Sequence, residues 1–461
     1  MPFLVGRYIL RRPSVGPPFE PLTLPQLAQP APIPTLSPRL DMMPPISDST
    51  SDAPRIVVTG LGAVTAWGWS VESLWQGLQS GRTSVGPARR FDVSGQRTRL
   101  AGEVGEAPDD LAACGAPHWR RWSRSDRFAV AAADEAWRQA DLPDDLDRAT
   151  VGVFFGGSTA AMAEAEDFFL RLTGRKEGPA RISPLANHPL SSPGDTVARR
   201  LGVAGPVETV SSACASGALA VAAALGALRD GTVDVALAGG SDGLCALTYA
   251  GFNALRAVDE NTCSPFREGR AGLNLGEGAG VLVMEREDGA VARGARVLGR
   301  VLGAGASCDA HHMTAPHPQG EGAARAVRAA LEDASLEPHE IDFVNAHGTG
   351  TPLNDRAEWQ AVQSLFGERA SRLPVTSSKG LLGHFLGSSG AIEAVATLLC
   401  LHHGAVHVTP GTGPVDPELG VDLVIDAMRP TPRDGRAVST SFAFGGSNGA
   451  LILGGVGELD P

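Results

Sequence analysis

Short apolar runs rich in β-branched residues alternate along the chain with longer alanine-rich stretches. The short runs predict strands at 56–59, 151–156, 207–212, 233–238, 279–285, 297–303, 341–346, 374–378, 437–443 and 449–453. The alanine-rich stretches have the length of helices and predict them at 126–140, 215–229, 322–334, 354–366 and 388–402. This alternation predicts an α/β fold whose sheets are covered by helices.

Two parts of the chain repeat the same order of features. Val210-Ser211-Ser212 precedes Cys214 and an alanine-rich helix, whereas Val375-Thr376-Ser377-Ser378 precedes a Gly-rich turn and another alanine-rich helix. Gly239-Gly240-Ser241-Asp242 is matched later by Gly445-Gly446-Ser447-Asn448. A long-period similarity with preserved order predicts duplicated halves, with the functional site where the halves meet.

Composition separates the N-terminus from the rest of the chain. Residues 1–53 contain proline pairs and little to bury, which predicts a disordered extension. The remainder of the 461 residues is long enough for two domain-sized units. We therefore expect an N-terminal half at 54–295, which carries the cysteine, and a C-terminal half at 296–457.

Charge and cysteine usage restrict the class of protein. The net charge is −12 and no long basic run occurs, so nucleic acid is not an expected partner. No apolar run reaches about 18 residues, so no membrane span is expected. The six cysteines are scattered without a C-x-x-C pair, which argues against a disulfide framework or a zinc site. The first ten residues lack the features of a signal peptide, and we expect a cytoplasmic protein without a bound metal.

Cys214 lies where a strand meets an apolar helix, in the segment ETVSSACASGALAVAAALGALRDG. The helix is apolar nearly all round, which predicts that it is buried. Exposed N–H groups at a helix N-terminus favour a thiolate, and we expect them to lower the pKa of this thiol. The alternative is an ordinary core cysteine, because free cysteine is among the most buried residue types.

Two histidines occur in loops of small residues. His347 follows an apolar strand and precedes Gly-Thr-Gly-Thr-Pro, at a strand end where functional groups collect in α/β proteins. His384 lies five residues after Lys379 in SSKGLLGHFLGSSGAIE, and the next helix carries Glu393. A buried cation beside an imidazole is typical of an active site; the alternatives are a structural histidine and a solvated loop lysine.

A Gly-rich turn near the C-terminus follows two phenylalanines. Phe442 and Phe444 precede Gly445-Gly446 in STSFAFGGSNG. Such a turn can direct a backbone N–H at an oxyanion; the alternative is a tight hairpin with two core aromatics. A nucleophilic thiol, two imidazoles, an ammonium group and this turn together suit a Claisen condensation.

From Arg55 to about Gly454 the chain resembles the β-ketoacyl-acyl-carrier-protein synthases of type I/II, which have a Cys-His-His site. The matching motifs occur in order: VVTGLGAVTAWG, SSACASGA, GLNLGEGAGVLVME, SCDAHHMTAP, VNAHGTGTPLND, SSKGLLGHFLGSSGAIE and SFAFGGSNG. The resemblance implies a thiolase-like α/β fold of two duplicated halves in five αβαβα layers. It also implies a homodimer, and a heterodimer stays open.

The resemblance implies an acyltransferase reaction in fatty acid or polyketide-type biosynthesis. An acyl group passes from an acyl carrier protein to Cys214, and decarboxylative condensation with malonyl-carrier protein gives a β-ketoacyl product. The partner is the acyl- or malonyl-loaded carrier protein. No cofactor is implied beyond the phosphopantetheine that the carrier protein bears.

The resemblance also assigns roles to individual residues. Cys214 is similar to the nucleophile of the family, and His347 and His384 are similar to the pair that holds the malonyl carbonyl and stabilises the enolate. His347 also corresponds to a base or water activator in decarboxylation. The supporting network implied is Lys379, Glu393, Asp355 and Glu358.

Substrate contacts follow from the same resemblance. Phe444 is similar to the gatekeeper aromatic, with Phe442 beside it, and the N–H groups of Phe444 and Cys214 would form an oxyanion hole. Thr349 and Thr351 are similar to threonines that line the pantetheine channel. The arginines near a carrier-docking patch are Arg120, Arg121, Arg124 and Arg181, for each of which a solvated face is the alternative.

Other functions predict different residues. A thiolase acting on CoA esters would carry a second cysteine near the C-terminus, which SFAFGGSNG lacks, and a type III synthase would have Asn in place of His384. A non-catalytic chain-length factor typically lacks the nucleophile. A cysteine hydrolase on another fold gives no reason for the second histidine and Lys379.

Overall fold

The structure, a computed structural model, describes residues 53–109, 111 and 119–457. The predicted disordered extension at 1–53 therefore lies, except for Ala53, outside the described residues. The described strands are β1 Ile56–Val64, β2 Gly86–Pro87, β3 Leu100–Gly102, β4 Val151–Gly156, β5 Val207–Val210, β6 Val235–Asp242, β7 Leu275–Gly276, β8 Gly278–Arg286, β9 Gly299–Cys308, β10 Phe343–Asn345, β11 Val375–Thr376, β12 Ala405–Val406, β13 Arg429–Pro430, β14 Arg436–Phe442 and β15 Ser447–Gly454.

Eleven α-helices lie in the same described ranges. They are α1 Val71–Ser80, α2 Arg124–Ala140, α3 Met162–Leu172, α4 Ser192–Leu201, α5 Ser216–Arg229, α6 Ala246–Ala254, α7 Glu287–Ala292, α8 Glu321–Asp333, α9 Pro352–Phe366, α10 Lys379–Leu382 and α11 Ser389–His403. The predicted α/β class is confirmed. None of the helices in the described part of the chain is long and apolar enough to cross a membrane.

Ten strands form one mixed sheet in the order β11-β10-β14-β15-β9-β1-β8-β6-β4-β5. The set β1, β4, β5, β6, β8 and the set β9, β10, β11, β14, β15 have the same internal order. In each set the first strand pairs antiparallel with the fifth, the fifth antiparallel with the fourth, and the fourth, second and third pair in parallel. The sets join where Ile56–Val58 pairs with Gly299–Val301.

Helices arrange the two sets of strands into five layers. α5 and α11 pack against each other in the middle, and each contacts strands of both sets. α2 with α4 covers one outer face, and α8 with α9 covers the other. Because α5 follows β5 and α11 follows β11, the first repeat seen in the sequence occupies equivalent places in the fold.

The second sequence repeat does not correspond to equivalent positions. Gly239–Asp242 lies within β6, whereas Gly445–Asn448 spans the turn into β15. The two glycine pairs have different local causes. Gly239 and Gly240 lie close to the backbones of the neighbouring strands β8 and β4, whereas Gly445 and Gly446 adopt left-handed turn conformations.

Candidate active site

Cys214 occupies a sharp turn between β5 and α5. The preceding residue, Ala213, has a φ of 46°, a left-handed conformation uncommon for alanine. The backbone N–H of Ala215 donates to the carbonyl of Ser212 at 3.1 Å, and that of Ser216 donates to the carbonyl of Ala213 at 3.2 Å. The turn presents the Cys214 side chain to a cavity, with 7% of the residue exposed.

The pKa of the Cys214 thiol differs from the sequence expectation. Burial raises it to about 12, against the lowering effects of the Lys379 charge and a hydrogen bond from the Phe444 backbone. The prediction that the helix N-terminus lowers the pKa of Cys214 is therefore wrong. The first two amides after Cys214 are bonded to carbonyls of the turn itself, so they are not free to stabilise a thiolate.

His347 is held by its backbone in a loop directly after β10. One oxygen of Glu358 accepts the His347 N–H and the other accepts the Gly348 N–H, both at 2.8 Å. The Thr440 hydroxyl accepts from the His347 N–H at 2.9 Å and donates to Glu358 at 2.7 Å. Glu358 therefore fixes the backbone from which the His347 imidazole extends. Burial raises the pKa of the Glu358 carboxyl.

A second buried carboxylate fixes the rest of this loop. Asp355 accepts the N–H groups of Phe266 at 2.8 Å and Gly350 at 3.1 Å. Burial raises the pKa of this carboxyl to about 7. The hydroxyls of Thr349 and Thr351 lie 2.8 Å apart and face the same cavity as Cys214.

Hydrogen bonds define the tautomer of His384. Its Nδ1 accepts from the backbone N–H of Leu386 at 2.9 Å and lies 3.0 Å from the hydroxyl of Ser389. Because a backbone amide can only donate, Nδ1 carries no proton and the neutral ring bears its hydrogen on Nε2. The His384 and His347 rings lie 5.3 Å apart at 87°.

Lys379 and Glu393 form a buried ion pair beside the two imidazoles. Their side chains are 1% and 4% exposed, and the Lys379 ammonium contacts Glu393 Oε1. Burial lowers the pKa of both His347 and His384 well below the usual range, and the Lys379 charge lowers it further. Both rings are therefore neutral near pH 7 rather than cationic.

A cavity of about 280 Å³ connects these groups to the surface. Its lining includes Cys214, His347, His384, Thr349, Thr351, Phe442, Phe444, Phe252 and Arg256. The Phe444 ring stacks on Phe252, with centroids 5.7 Å apart at 15°, and Phe442 packs edge-on to His347 at 5.9 Å. The structure thus brings the sequence-predicted nucleophile, both histidines, both threonines and both phenylalanines to one site.

The predicted docking arginines have different environments. Arg120 and Arg121 are exposed in a short 3₁₀ helix, and Arg181 is exposed near α3. Arg124 is enclosed: its guanidinium pairs with the buried Glu277 and lies over the Phe128 ring. No sequence motif marks Arg256, an exposed cation at the cavity mouth with a φ of 54°.

The chain matches two family models. The model described as "Beta-ketoacyl synthase, N-terminal domain" matches residues 53–290, and "Beta-ketoacyl synthase, C-terminal domain" matches residues 298–412. A curated relative, 3-oxoacyl-[acyl-carrier-protein] synthase 2 of Synechocystis sp., is 37% identical over 409 residues, which cover 87% of this chain and 97% of the relative.

Solved structures of ketosynthases have the same fold. The ishigamide ketosynthase/chain length factor superimposes with a TM-score of 0.81 at 34% identity, covering 88% of this chain and 100% of that chain. A type II PKS ketosynthase, in complex with its acyl-carrier protein and bound to the hexaketide, gives 0.79 at 29% identity with the same coverage. The thiolase-like architecture expected from the sequence is confirmed.

Proposed function

The chain belongs to the β-ketoacyl synthase family and is a condensing acyltransferase, and on that premise we propose that Cys214, His347 and His384 carry out its two half-reactions. The first half-reaction is acyl transfer. The Cys214 sulfur attacks the acyl thioester of a carrier protein, its bond to the acyl carbon forms, and the bond to the pantetheine sulfur breaks. The thiol proton leaves with the pantetheine thiol, so the raised pKa of Cys214 requires that proton transfer accompany the attack.

The backbone supports the transition state of this step. The N–H of Phe444, whose hydrogen bond lowers the pKa of the Cys214 thiol, would stabilise the thioester oxygen together with the N–H of Cys214 as negative charge develops. A donor of this kind typically lowers the barrier by about 3 kcal/mol. The Phe444 side chain, stacked on Phe252, would admit the acyl chain when it moves.

The second half-reaction uses the neutral imidazoles. Loss of CO₂ from malonyl-carrier protein breaks a carbon–carbon bond and leaves an enolate whose oxygen the Nε2–H of His384 and the ring of His347 would hold. The enolate carbon then attacks the acyl carbon on Cys214 and expels the thiolate, which takes up one proton. Neutral rings suit this role because they donate hydrogen bonds without retaining the product as an ion pair.

The proposed partner is an acyl carrier protein. Arg181 and Arg256 are exposed, and Arg256 also lines the cavity. Both would contact the acidic surface or the phosphate of a carrier, and Arg120 and Arg121 are weaker candidates. Phosphopantetheine would arrive on the carrier. We propose a homodimer, with a heterodimer as the alternative, and a cytoplasmic location, which the five free cysteines of the described ranges support.

One observation carries the proposal: Cys214 shares a single cavity with two imidazoles that burial keeps neutral. The test is Cys214→Gln, assayed separately for condensation and for malonyl decarboxylation. We expect condensation to be lost while decarboxylation continues, because the enolate-holding groups remain. The matched control is Cys308→Ser, an exposed cysteine outside the cavity lining, which should keep both activities. Loss of both activities in a folded Cys214→Gln protein would refute the division of roles.

A further inference from the structure

Asp242 is a fully buried carboxylate at the end of β6, with 0% of the residue exposed. Its Oδ1 accepts the backbone N–H of Thr159 at 2.7 Å and the Thr159 hydroxyl at 2.8 Å. Its Oδ2 accepts the Ser158 hydroxyl at 2.9 Å and the backbone N–H of Gly387 at 2.7 Å. The Ser158 N–H contacts both oxygens, at 2.9 and 3.0 Å. These partners are neutral donors, as an ionised carboxylate requires.

These bonds join two distant parts of the chain. Ser158 and Thr159 follow β4 in the first set of strands, whereas Gly387 belongs to the turn before α11 in the second part. The approach is close: a Cβ on Gly387 would lie 2.7 Å from Asp242 Oδ2 and 2.8 Å from the carbonyl carbon of Gly157. Asp242 therefore sets the spacing between the two segments.

The turn that Asp242 holds is also the turn that orients His384. Gly387 lies between Leu386 and Ser389, whose backbone N–H and hydroxyl lie within hydrogen-bond distance of His384 Nδ1. Leu386 has a φ of 54°, an uncommon conformation for leucine that must be held by its surroundings. The Asp242–Gly387 bond is next to this strained residue and would hold it in place.

We propose that Asp242 is a positioning residue for His384: its buried carboxylate anchors the Gly387 peptide and thereby keeps the Leu386 amide on Nδ1 and the hydrogen on Nε2. This inference rests on the role given to His384 in the proposed function. Asp242 is not expected to touch substrate. Its effect passes through one turn, and a misplacement of the imidazole by about 1 Å is sufficient to slow the reaction.

The test is Asp242→Asn, read by ¹⁵N NMR of histidine-labelled protein with the His384 signal assigned by His384→Asn. An amide NH₂ would face either the Gly387 N–H or the Thr159 donors, so one link must break. We expect the nitrogen shifts of His384 to move away from a pure Nε2–H tautomer. We also expect kcat for condensation to fall on the order of tenfold to a hundredfold with little change in KM.

Two variants separate positioning from general stability. Asp126→Asn removes another buried carboxylate, which caps α2 and bonds to Ser192, and Thr159→Val removes one donor to Asp242 without touching Gly387. Both should leave the His384 shifts unchanged. Unchanged shifts in Asp242→Asn, or an equal change in Asp126→Asn, would overturn the inference.

If Asp242→Asn does not fold, Asp242→Ser removes the carboxylate without placing an NH₂ against the amides, and the same shift is expected. If the wild-type protein does not condense acyl groups, the proposed function fails, whereas the NMR comparison still decides whether Asp242 controls the His384 tautomer.

Discussion

At the residue scale, burial sets the protonation of the thiol and of both imidazoles. It raises the pKa of Cys214 and Glu393 and lowers that of His347 and His384, so the resting site holds a neutral thiol and two neutral imidazoles. The site is therefore organised to stabilise charge that appears during the reaction, rather than to store a thiolate beforehand.

The raised pKa of Cys214 predicts its alkylation rate. With a pKa of about 12, the thiolate fraction should rise about tenfold for each pH unit from 7 to 9. Peptide-resolved mass spectrometry after iodoacetamide treatment gives the rate at Cys214, and the exposed Cys308 provides an internal comparison. A rate at Cys214 that levels off by pH 8 would show that the thiol is acidic and would contradict this account.

At the element scale, the contact between α5 and α11 positions the nucleophile relative to His384. A Cβ on Gly217 would lie 2.8 Å from the backbone nitrogen of Ala391, so the two middle helices touch through a glycine. Any outward shift of α5 would move Cys214, which lies two residues before its first turn, away from the imidazoles.

A pair of glycine substitutions in α5 tests this contact. Gly217→Ala should lower the free energy of unfolding by about 1–3 kcal/mol through overpacking. Gly226→Ala, in the same helix but with no atom within 4 Å of the added Cβ, should raise it by about 0.5–1 kcal/mol. Urea denaturation measures both. A stabilised Gly217→Ala protein would show that α5 and α11 are not in close contact.

The elements that the sequence predicted correctly are those with strong patterns. The alanine-rich helices α5 and α11 and the β-branched strands β4 and β8 were predicted to within a few residues of their ends. The helices α1, α3, α4, α6, α7 and α10 were missed. Pro193 and Gly194 interrupt the pattern of α4, and α7 and α10 are only six and four residues long. Their helical form depends on packing against the rest of the fold.

The site residues also divide into those that a local sequence motif marks and those that depend on the folded chain. Cys214, His347 and His384 were predictable because each lies in a motif of small residues. The direction of the Cys214 pKa shift was not, since it depends on how deeply the turn is enclosed. Asp242 was also not identified, because its partners lie far away in the sequence and only the folded chain brings them together. Arg256 was not identified because no motif marks it.

At the scale of the whole molecule, the proposed partner is an acidic carrier protein, and this chain is acidic as well. The net charge of −12 opposes such an encounter, so association should depend on local cations such as Arg181 and Arg256. At the cavity mouth, the positive charge of Arg256 lies beside the opening that leads to Cys214.

Charge reversal at the mouth tests the docking proposal. Arg256→Glu should raise KM for the acyl-carrier protein several-fold and leave turnover of a short pantetheine thioester unchanged, because only the protein contact is lost. Arg138→Glu, at an exposed arginine of α2 outside the cavity lining, is the matched control. An equal rise in KM for both variants would mean that only the overall charge matters.

The central claim is that the Cys214 sulfur carries the acyl group between the two half-reactions. The most direct measurement is mass spectrometry of the protein after incubation with an acyl-carrier protein, followed by a chase with malonyl-carrier protein. We predict one acyl adduct on the peptide that contains Cys214, which disappears in the chase as the β-ketoacyl product forms. An adduct on another cysteine, or one that persists while product accumulates, would contradict the account.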